Sequence, residues 1–302
     1  MQLARGAKGI TCAKLGEAED LINCGVEDVL IANEIVHPAK IARLAYLAKC
    51  CYLTVATDSA ENIRDLQAAC ALQKSVLHCL VEYDVGMKRC GVTEKEDFLA
   101  LAKQISESEN LVFEGIQAYA GNLSHEENYE KRQAESDVVE LRLKELKKYL
   151  EDNGIPVKEV SGISTGTIQF HGADSVYTEV QAGSYLFMDR AYDAVGPAFE
   201  NSLFVLSSVM SKPKGETILD AGTKAISVDQ KPPVFKGYEQ YPVKTSEEHG
   251  TVYAELPLNI GDQLRMIPGH CCTTINMYDR LYFVRENKVV DCVHIESRGK
   301  SR

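Results

Sequence analysis

Two thiols and an imidazole stand side by side in the stretch Pro268–Asp279, at His270, Cys271 and Cys272, directly after Pro268 and Gly269 interrupt whatever regular structure precedes them. In an extended segment successive side chains alternate faces, so His270 and Cys272 share one face and Cys271 takes the other. A His-x-Cys pair offers two ligands to a borderline-soft divalent metal such as zinc. A structural zinc site wants four ligands. The pair therefore predicts an open catalytic metal, a site completed from elsewhere in the chain, or thiols that bind nothing and pack as small hydrophobes.

A second set of polar residues falls just past predicted strands. Arg89 follows Val81–Gly86, Gln117 and Tyr119 end the next strand, and His125 comes just after Gly121. Thr165-Gly-Thr167 is a small-residue turn whose backbone amides can face an anion, and Gly183-Ser184 repeats that chemistry one strand later. Two phosphate-sized cradles with an Arg, a Tyr and a His predict a phosphorylated ligand. Each has a plainer alternative: a surface ion pair for Arg89, an ordinary turn for Thr165–Thr167, a solvated first-turn helix residue for His125, and barrel core for Gln117 and Tyr119. Their convergence on one rim favours a site.

The elements that must position these residues alternate β-rich runs with amphipathic helices. Strands are predicted at Gly9–Ala13, Val29–Asn33, Tyr52–Thr57, Val76–Asp84, Leu111–Tyr119, Val157–Gly162 and Tyr177–Met188. Thr93–Glu96 and Ser124–Glu127 read as capping boxes. A long helix from about Ser124 carries Val138, Leu141, Leu146, Tyr149 and Leu150 near one face and stops at Gly154, with Pro156 beyond. Such βα units predict an α/β fold with a parallel sheet, either open and doubly wound or closed as a (β/α)8 TIM-type barrel, whose active site would lie at the C-terminal ends of its strands. The missing strand is the first, because the chain opens on a polar, helix-like Met1–Lys8. No Gly-x-Gly-x-x-Gly follows the first visible strand, which weakens a dinucleotide-binding reading. Residues 1–190 thus form an incomplete barrel. Residues 191–302 read as an all-β domain with strands at Ser202–Met210, Glu216–Leu219, Ala225–Val228, Thr251–Leu256, Gln263–Met266, Arg280–Arg285 and Lys288–Ile295, a hairpin turn at Arg285–Lys288 and a frayed tail at Ser297–Arg302.

Composition removes several classes of function. With 302 residues, 45% hydrophobic and 25% charged, the chain has the balance of a globular protein. A formal charge of −11 leaves no basic excess for a nucleic-acid partner. The longest apolar run, Leu203–Met210, is too short to span a bilayer, and the N-terminus lacks a signal-peptide pattern, so no membrane partner and a cytoplasmic location are expected. The ten cysteines, scattered through helix and strand patterns, read as reduced thiols.

The runs Gly6–Glu19, Leu30–Asn33, Gln117–Gly121, Ser164–Thr167, Glu179–Asp189, Asp220–Ala225, Glu248–Gly250 and Pro268–Asp279 together resemble the D-threonine aldolase and D-serine dehydratase family, almost end to end. The resemblance implies a barrel of the alanine racemase kind with a C-terminal β domain carrying the metal site, pyridoxal 5′-phosphate (PLP) as cofactor, a divalent metal (zinc, manganese or magnesium) and a homodimer. By position, Arg89 resembles the partner of the pyridine nitrogen, and Gln117 and Tyr119 lie beside the ring. Thr165, Gly183 and Ser184 resemble the phosphate ligands, His270 and Cys272 the metal pair, and His125 the base near the substrate hydroxyl. The implied activity is cleavage of a β-hydroxy D-amino acid to glycine and an aldehyde. Two departures stand out. The aldolase branch has His-Cys-Asp where this chain has His270-Cys271-Cys272, which is closer to the zinc-dependent dehydratases and keeps an ammonia-lyase reading open. The family's Schiff-base lysine lies upstream of the segment resembling Met1–Lys14, with Lys8 and Lys14 read as structural. The chain is then expected to be a fragment or late-start form of an active enzyme, or a non-catalytic PLP-binding paralogue.

Overall fold

The structure, a computed structural model, describes residues 2–196 and 198–300. Met1 of the expected opening helix, and Ser301 and Arg302 of the expected tail, lie outside the described residues. The chain divides into two compact units, Met1–Ala182 with Gly299–Arg302, and Gly183–Arg298.

The first unit runs β1 (Ile10–Cys12), α1 (Leu15–Asn23), β2 (Asp28–Glu34), α2 (Pro38–Leu47), β3 (Tyr52–Thr57), α3 (Ala60–Gln73), β4 (Leu77–Glu82), α4 (Lys95–Ser106), β5 (Leu111–Ala118), α5 (Tyr129–Asp152), β6 (Glu159–Gly162) and β7 (Glu179–Val180). The seven strands lie in chain order and every neighbouring pair is parallel. Residues 53–57 of β3 and 79–82 of β4 are buried without a break, as expected of strands covered on both faces. The sheet curls into a half-barrel: Lys8, just ahead of β1, reaches Glu159 of β6 and Glu179 of β7 at 2.9 Å each. This contact gives Lys8 the structural role expected of it.

Several local expectations are corrected. The long strand expected at Tyr177–Met188 is only the two residues of β7, because the chain turns at Gly183 and Ser184. Neither expected capping box forms. The helix α5 is capped by Asn128, whose side chain accepts from the Lys131 amide at 2.8 Å, and α4 starts from Glu94 without a side-chain cap. The face α5 buries is Arg132, Ser136, Val139, Leu143, Leu146 and Leu150, spaced by threes and fours. Val138 and Leu141 are each 58% exposed.

The second unit holds an antiparallel sheet in the order β10-β13-β8-β9-β12-β11, formed from β8 (Val205–Ser211), β9 (Thr217–Leu219), β10 (Val234–Phe235), β11 (Lys244–Thr245), β12 (Gly250–Val252) and β13 (Gln263–Ile267). A separate ribbon pairs β14 (Arg280–Arg285) with β15 (Lys288–His294) through Glu286 and Asn287, both at positive φ, the turn expected there. Two short helices, α6 (Arg190–Asp193) and α7 (Cys271–Ile275), complete the unit. The strand expected at Ala225–Val228 is irregular chain instead. The expected frayed tail is held as far as it is described: Arg298 pairs with Asp279 at 2.7 Å and Lys300 with Asp20 at 3.1 Å.

At the N-terminal ends of the parallel strands, Glu114 of β5 is buried beneath His78 (2.7 Å), the Tyr52 hydroxyl (2.9 Å) and Lys158 (3.2 Å). Burial pushes its carboxyl up, but the hydrogen bonds from His78, Tyr52 and Lys158 outweigh that and hold it below the usual carboxylate range. A folded pKa below the unfolded one contributes stability that is complete above the unfolded pKa and lost as pH falls through the folded value. Urea melts of Glu114→Gln should accordingly show a loss of about 2 kcal/mol at neutral pH, the worth of hydrogen bonds to a charged group, together with a flatter decline in stability on the acid side than in the parent.

Candidate active site

Parallel strands in chain order bring the segments after β2, β3, β4, β5 and β6 to one rim of the first unit. Arg89 lies on the loop after β4. That loop is anchored: Asp84 accepts from the Gly86 amide at 2.8 Å and from the Lys88 amide at 3.1 Å, and Asp58 accepts from the Gly91 amide at 3.0 Å. The guanidinium is half-exposed and 3.8 Å from Glu82, the last residue of β4, whose side chain is buried.

Two glycines let neighbouring loops close up. A Cβ on Gly121 would sit 2.7 Å from the Tyr119 ring and 2.9 Å from Met87 Sδ, and one on Gly166 would sit 2.1 Å from the Ser124 carbonyl oxygen. Three segments therefore meet: the Arg89 loop, the turn from Tyr119 to His125, and Ser164–Thr167. Tyr119 shares its hydroxyl with Ser124 at 3.5 Å. Gln117, 1% exposed, is tied to Gln181, whose amide donates to it at 2.7 Å and to Ser161 at 2.9 Å. Thr165 is buried at 2% exposure. Its neighbours Ser164 and Thr167 bond each other across the turn at 3.2 Å.

The rim holds acids that sequence reading missed. Glu34, Asp58 and Cys90 bring ligand atoms within 4.8 Å of one another. Burial, and then the charge and hydrogen bond of Glu34, push the Glu82 carboxyl up to about 8, against the pull of Arg89. Each acid ends or follows a strand, and that position was the available signal; only the fold shows that they meet.

Gly183, Ser184, His270 and Cys272 belong to the second unit. The alternation expected for Pro268–Asp279 is replaced by a helix. His270 is the extended N-cap residue of α7 and Cys272 lies in its first turn. The pair stays close, because the extended residue turns directly into the helix, and each side chain shifts the protonation of the other. Asp229 takes the other side of the ring, 3.0 Å from Nδ1, and also accepts from Ser227. Asp189 caps α6 through the Tyr192 amide at 3.2 Å and accepts from the Cys271 amide at 2.8 Å. The Cys271 thiol in contact with it, and then the neighbouring His270, hold the Cys272 thiol below its ordinary value, against burial. His270 is raised to about 9 by its bond to Cys272, with burial opposing and Asp229 adding.

Residues 1–191 match the family described as "Alanine racemase, N-terminal domain", and residues 202–284 match a "Putative serine dehydratase domain". The 3-hydroxy-D-aspartate aldolase of Paracoccus denitrificans (strain Pd 1222) is 41% identical over 98% of this chain and 80% of its own. The D-threonine aldolase of an Arthrobacter species is 40% identical over 100% of this chain and 82% of its own. The crystal structure of D-threonine aldolase from Filomicrobium marinum superimposes with a TM-score of 0.96 at 32% identity, covering 100% of this chain and 84% of that one. This chain belongs to the D-threonine aldolase and D-serine dehydratase family.

In this member of the family the donors fit both groups that the family implies. An imidazole oriented by a carboxylate on one nitrogen, with a cysteine two residues on, is a suitable pair for a borderline-soft divalent ion. A buried threonine hydroxyl and an arginine held by a neutralisable acid suit a phosphorylated, aromatic cofactor. Because the Glu82 pKa lies above its unfolded value, the folded state carries an extra proton between the two values, and this group's contribution to stability falls as pH rises through that window. Infrared difference spectra should show a protonated-carboxyl band that disappears as pH rises through about 8 and is absent in Glu82→Gln.

Proposed function

We propose that this protein is a PLP- and divalent-metal-dependent lyase that cleaves β-hydroxy D-amino acids to glycine and an aldehyde. The observation that carries this reading is the identity of 41% and 40%, over nearly the whole chain, to enzymes named as aldolases of such amino acids. Bound PLP would supply the sink for the electron pair left at Cα, and a metal on His270 and Cys272 would supply Lewis acidity at oxygen.

The protein's own residues have the following proposed roles. Arg89 faces the pyridine nitrogen, where a guanidinium, which does not lose its proton, offers a fixed donor. Gln117 and Tyr119 flank the ring, and the Gln181 bond fixes Gln117. Thr165, Gly183 and Ser184 serve as phosphate donors through hydroxyl and amide groups. His125 takes the proton of the substrate's β-hydroxyl as the Cα–Cβ bond breaks. Asp229 holds the His270 ring through Nδ1, which leaves the second nitrogen for the metal.

Dehydration to ammonia and a keto acid is the second reading. It is favoured by Cys272, a thiol where the aldolase branch has aspartate. A homodimer is supported by the ribbon of β14 and β15, where Tyr282, Val284, Val289 and Val290 are 58%, 61%, 63% and 57% exposed, more apolar surface than a lone hairpin keeps in water. All ten cysteines are free thiols, which supports a reducing, cytoplasmic setting. No helix among the described residues is long and apolar enough to cross a membrane.

His125→Asn should slow aldehyde release about a hundredfold, the usual worth of a general base, with PLP affinity within a factor of about two. His270→Ala should abolish turnover at any metal concentration while PLP remains bound. Undiminished aldehyde release from either variant would contradict the role given to that residue.

A further inference from the structure

Beyond the metal role proposed for Cys272, the two sulfurs at the start of α7 have a chemistry of their own: we propose that Cys271 and Cys272 form a site of reversible oxidation, closing to a vicinal disulfide in the presence of a low-molecular-weight disulfide such as oxidised glutathione. Their Sγ atoms are already in contact at 3.9 Å. Cys272 is exposed and Cys271 is 1% exposed, so one thiol meets the reagent and the other waits beneath it. In the first step Cys272 attacks one sulfur of the reagent, forming a mixed disulfide and releasing the reagent's other sulfur as a thiol. Cys271 then attacks the Cys272 sulfur, the mixed bond breaks, and the second thiol leaves with the Cys271 proton. Two protein thiols are oxidised and one reagent disulfide is reduced to two thiols, so the electrons balance.

The backbone permits this closure. Adjacent Cα atoms across a trans peptide are about 3.8 Å apart, closer than disulfide-linked residues normally come, so the first turn must leave helical geometry. Here that turn belongs to a short helix. The helix α7 spans five residues, and its opening releases the Asn276 amide from the Cys272 carbonyl (3.2 Å), the Thr274 hydroxyl from the His270 carbonyl (2.8 Å) and the Cys271 amide from Asp189 (2.8 Å). A bond formed under such strain is easily reduced, which makes the change reversible. Its consequence rests on the metal reading above: once oxidised, Cys272 is no longer a thiolate ligand, and a bound ion blocks the thiol that must react first. The oxidation itself does not rest on that reading.

The test treats the metal-free, full-length protein with oxidised glutathione, alkylates the remaining thiols and maps the peptides by mass. The expected result is a loss of about two mass units on the peptide holding Cys271 and Cys272, reversed by dithiothreitol. Cys50 and Cys51 are also adjacent in sequence but share no sulfur contact among the described residues, and their peptide should not show this loss. Cys271→Ser should instead hold one glutathione on Cys272. Preloading with zinc should slow the oxidation at least tenfold. Oxidation at an undiminished rate with zinc present would remove the metal reading and leave the thiol site standing. A lasting glutathione adduct on Cys272 of the parent protein, or an unchanged peptide, would overturn the proposal.

Discussion

The curl of the parallel sheet is the constraint on which the site in the first unit depends, and a charged contact fixes it. Lys8, ahead of the first strand, sits between Glu159 and Glu179 of the last two at 2.9 Å each. Its partner carboxylates are about three-quarters buried, so the pair of contacts is worth more than an open surface bridge. Beside it the buried Glu114 gathers donors from the first residue of β3, the second of β4 and the approach to β6. With the N-terminal ends drawn together, the segments leaving the C-terminal ends have to converge. Arg89, Tyr119, His125 and Thr165, spread over almost eighty positions of sequence, then belong to adjoining loops. Their closeness depends on glycines at 121 and 166, where any side chain would collide.

Acidic groups hold the candidate site side chains in both units. Glu82 and Asp58 steady the loop that presents Arg89, while Asp189 and Asp229 fix the two sides of the segment His270–Cys272. These carboxylates do not share one electrostatic state. Burial and Glu34 favour the protonated form of Glu82, whereas at Asp229 burial is outweighed by hydrogen bonds from His270 and Ser227, which keep it ionised. An uncharged acid next to an arginine leaves the guanidinium its positive charge for a ligand. An ionised one next to a histidine favours its charged form and orients the ring through Nδ1.

The strands, their order and the polar groups at their ends were legible because a sheet covered on both faces writes long apolar runs and a parallel sheet needs helices between them. Local signals carried less. Ser124 and Thr93 have the spacing of capping boxes, yet Asn128 caps α5 and α4 starts from Glu94, since the tight turn at Gly121–Ser124 uses up the chain ahead of the helix. Val138 and Leu141 read as a buried face but are exposed, because the helix instead turns inward the stripe that begins at Arg132 and Ser136. Periodicity over so polar a helix could not reveal that. His270 and Cys272 were singled out by their spacing, though the geometry that keeps them near each other is an N-cap followed by a helical turn. Asp229, forty-one residues earlier in an irregular segment, left no pattern to read.

The central claim is that this chain breaks a carbon–carbon bond rather than expelling a hydroxyl group. Incubating the PLP- and metal-loaded protein with D-threonine or 3-hydroxy-D-aspartate, and quantifying glycine and ammonia in the same sample, tests it most directly. The account predicts glycine and aldehyde in equal amounts with ammonia at background. Ammonia and a keto acid in place of glycine would contradict it.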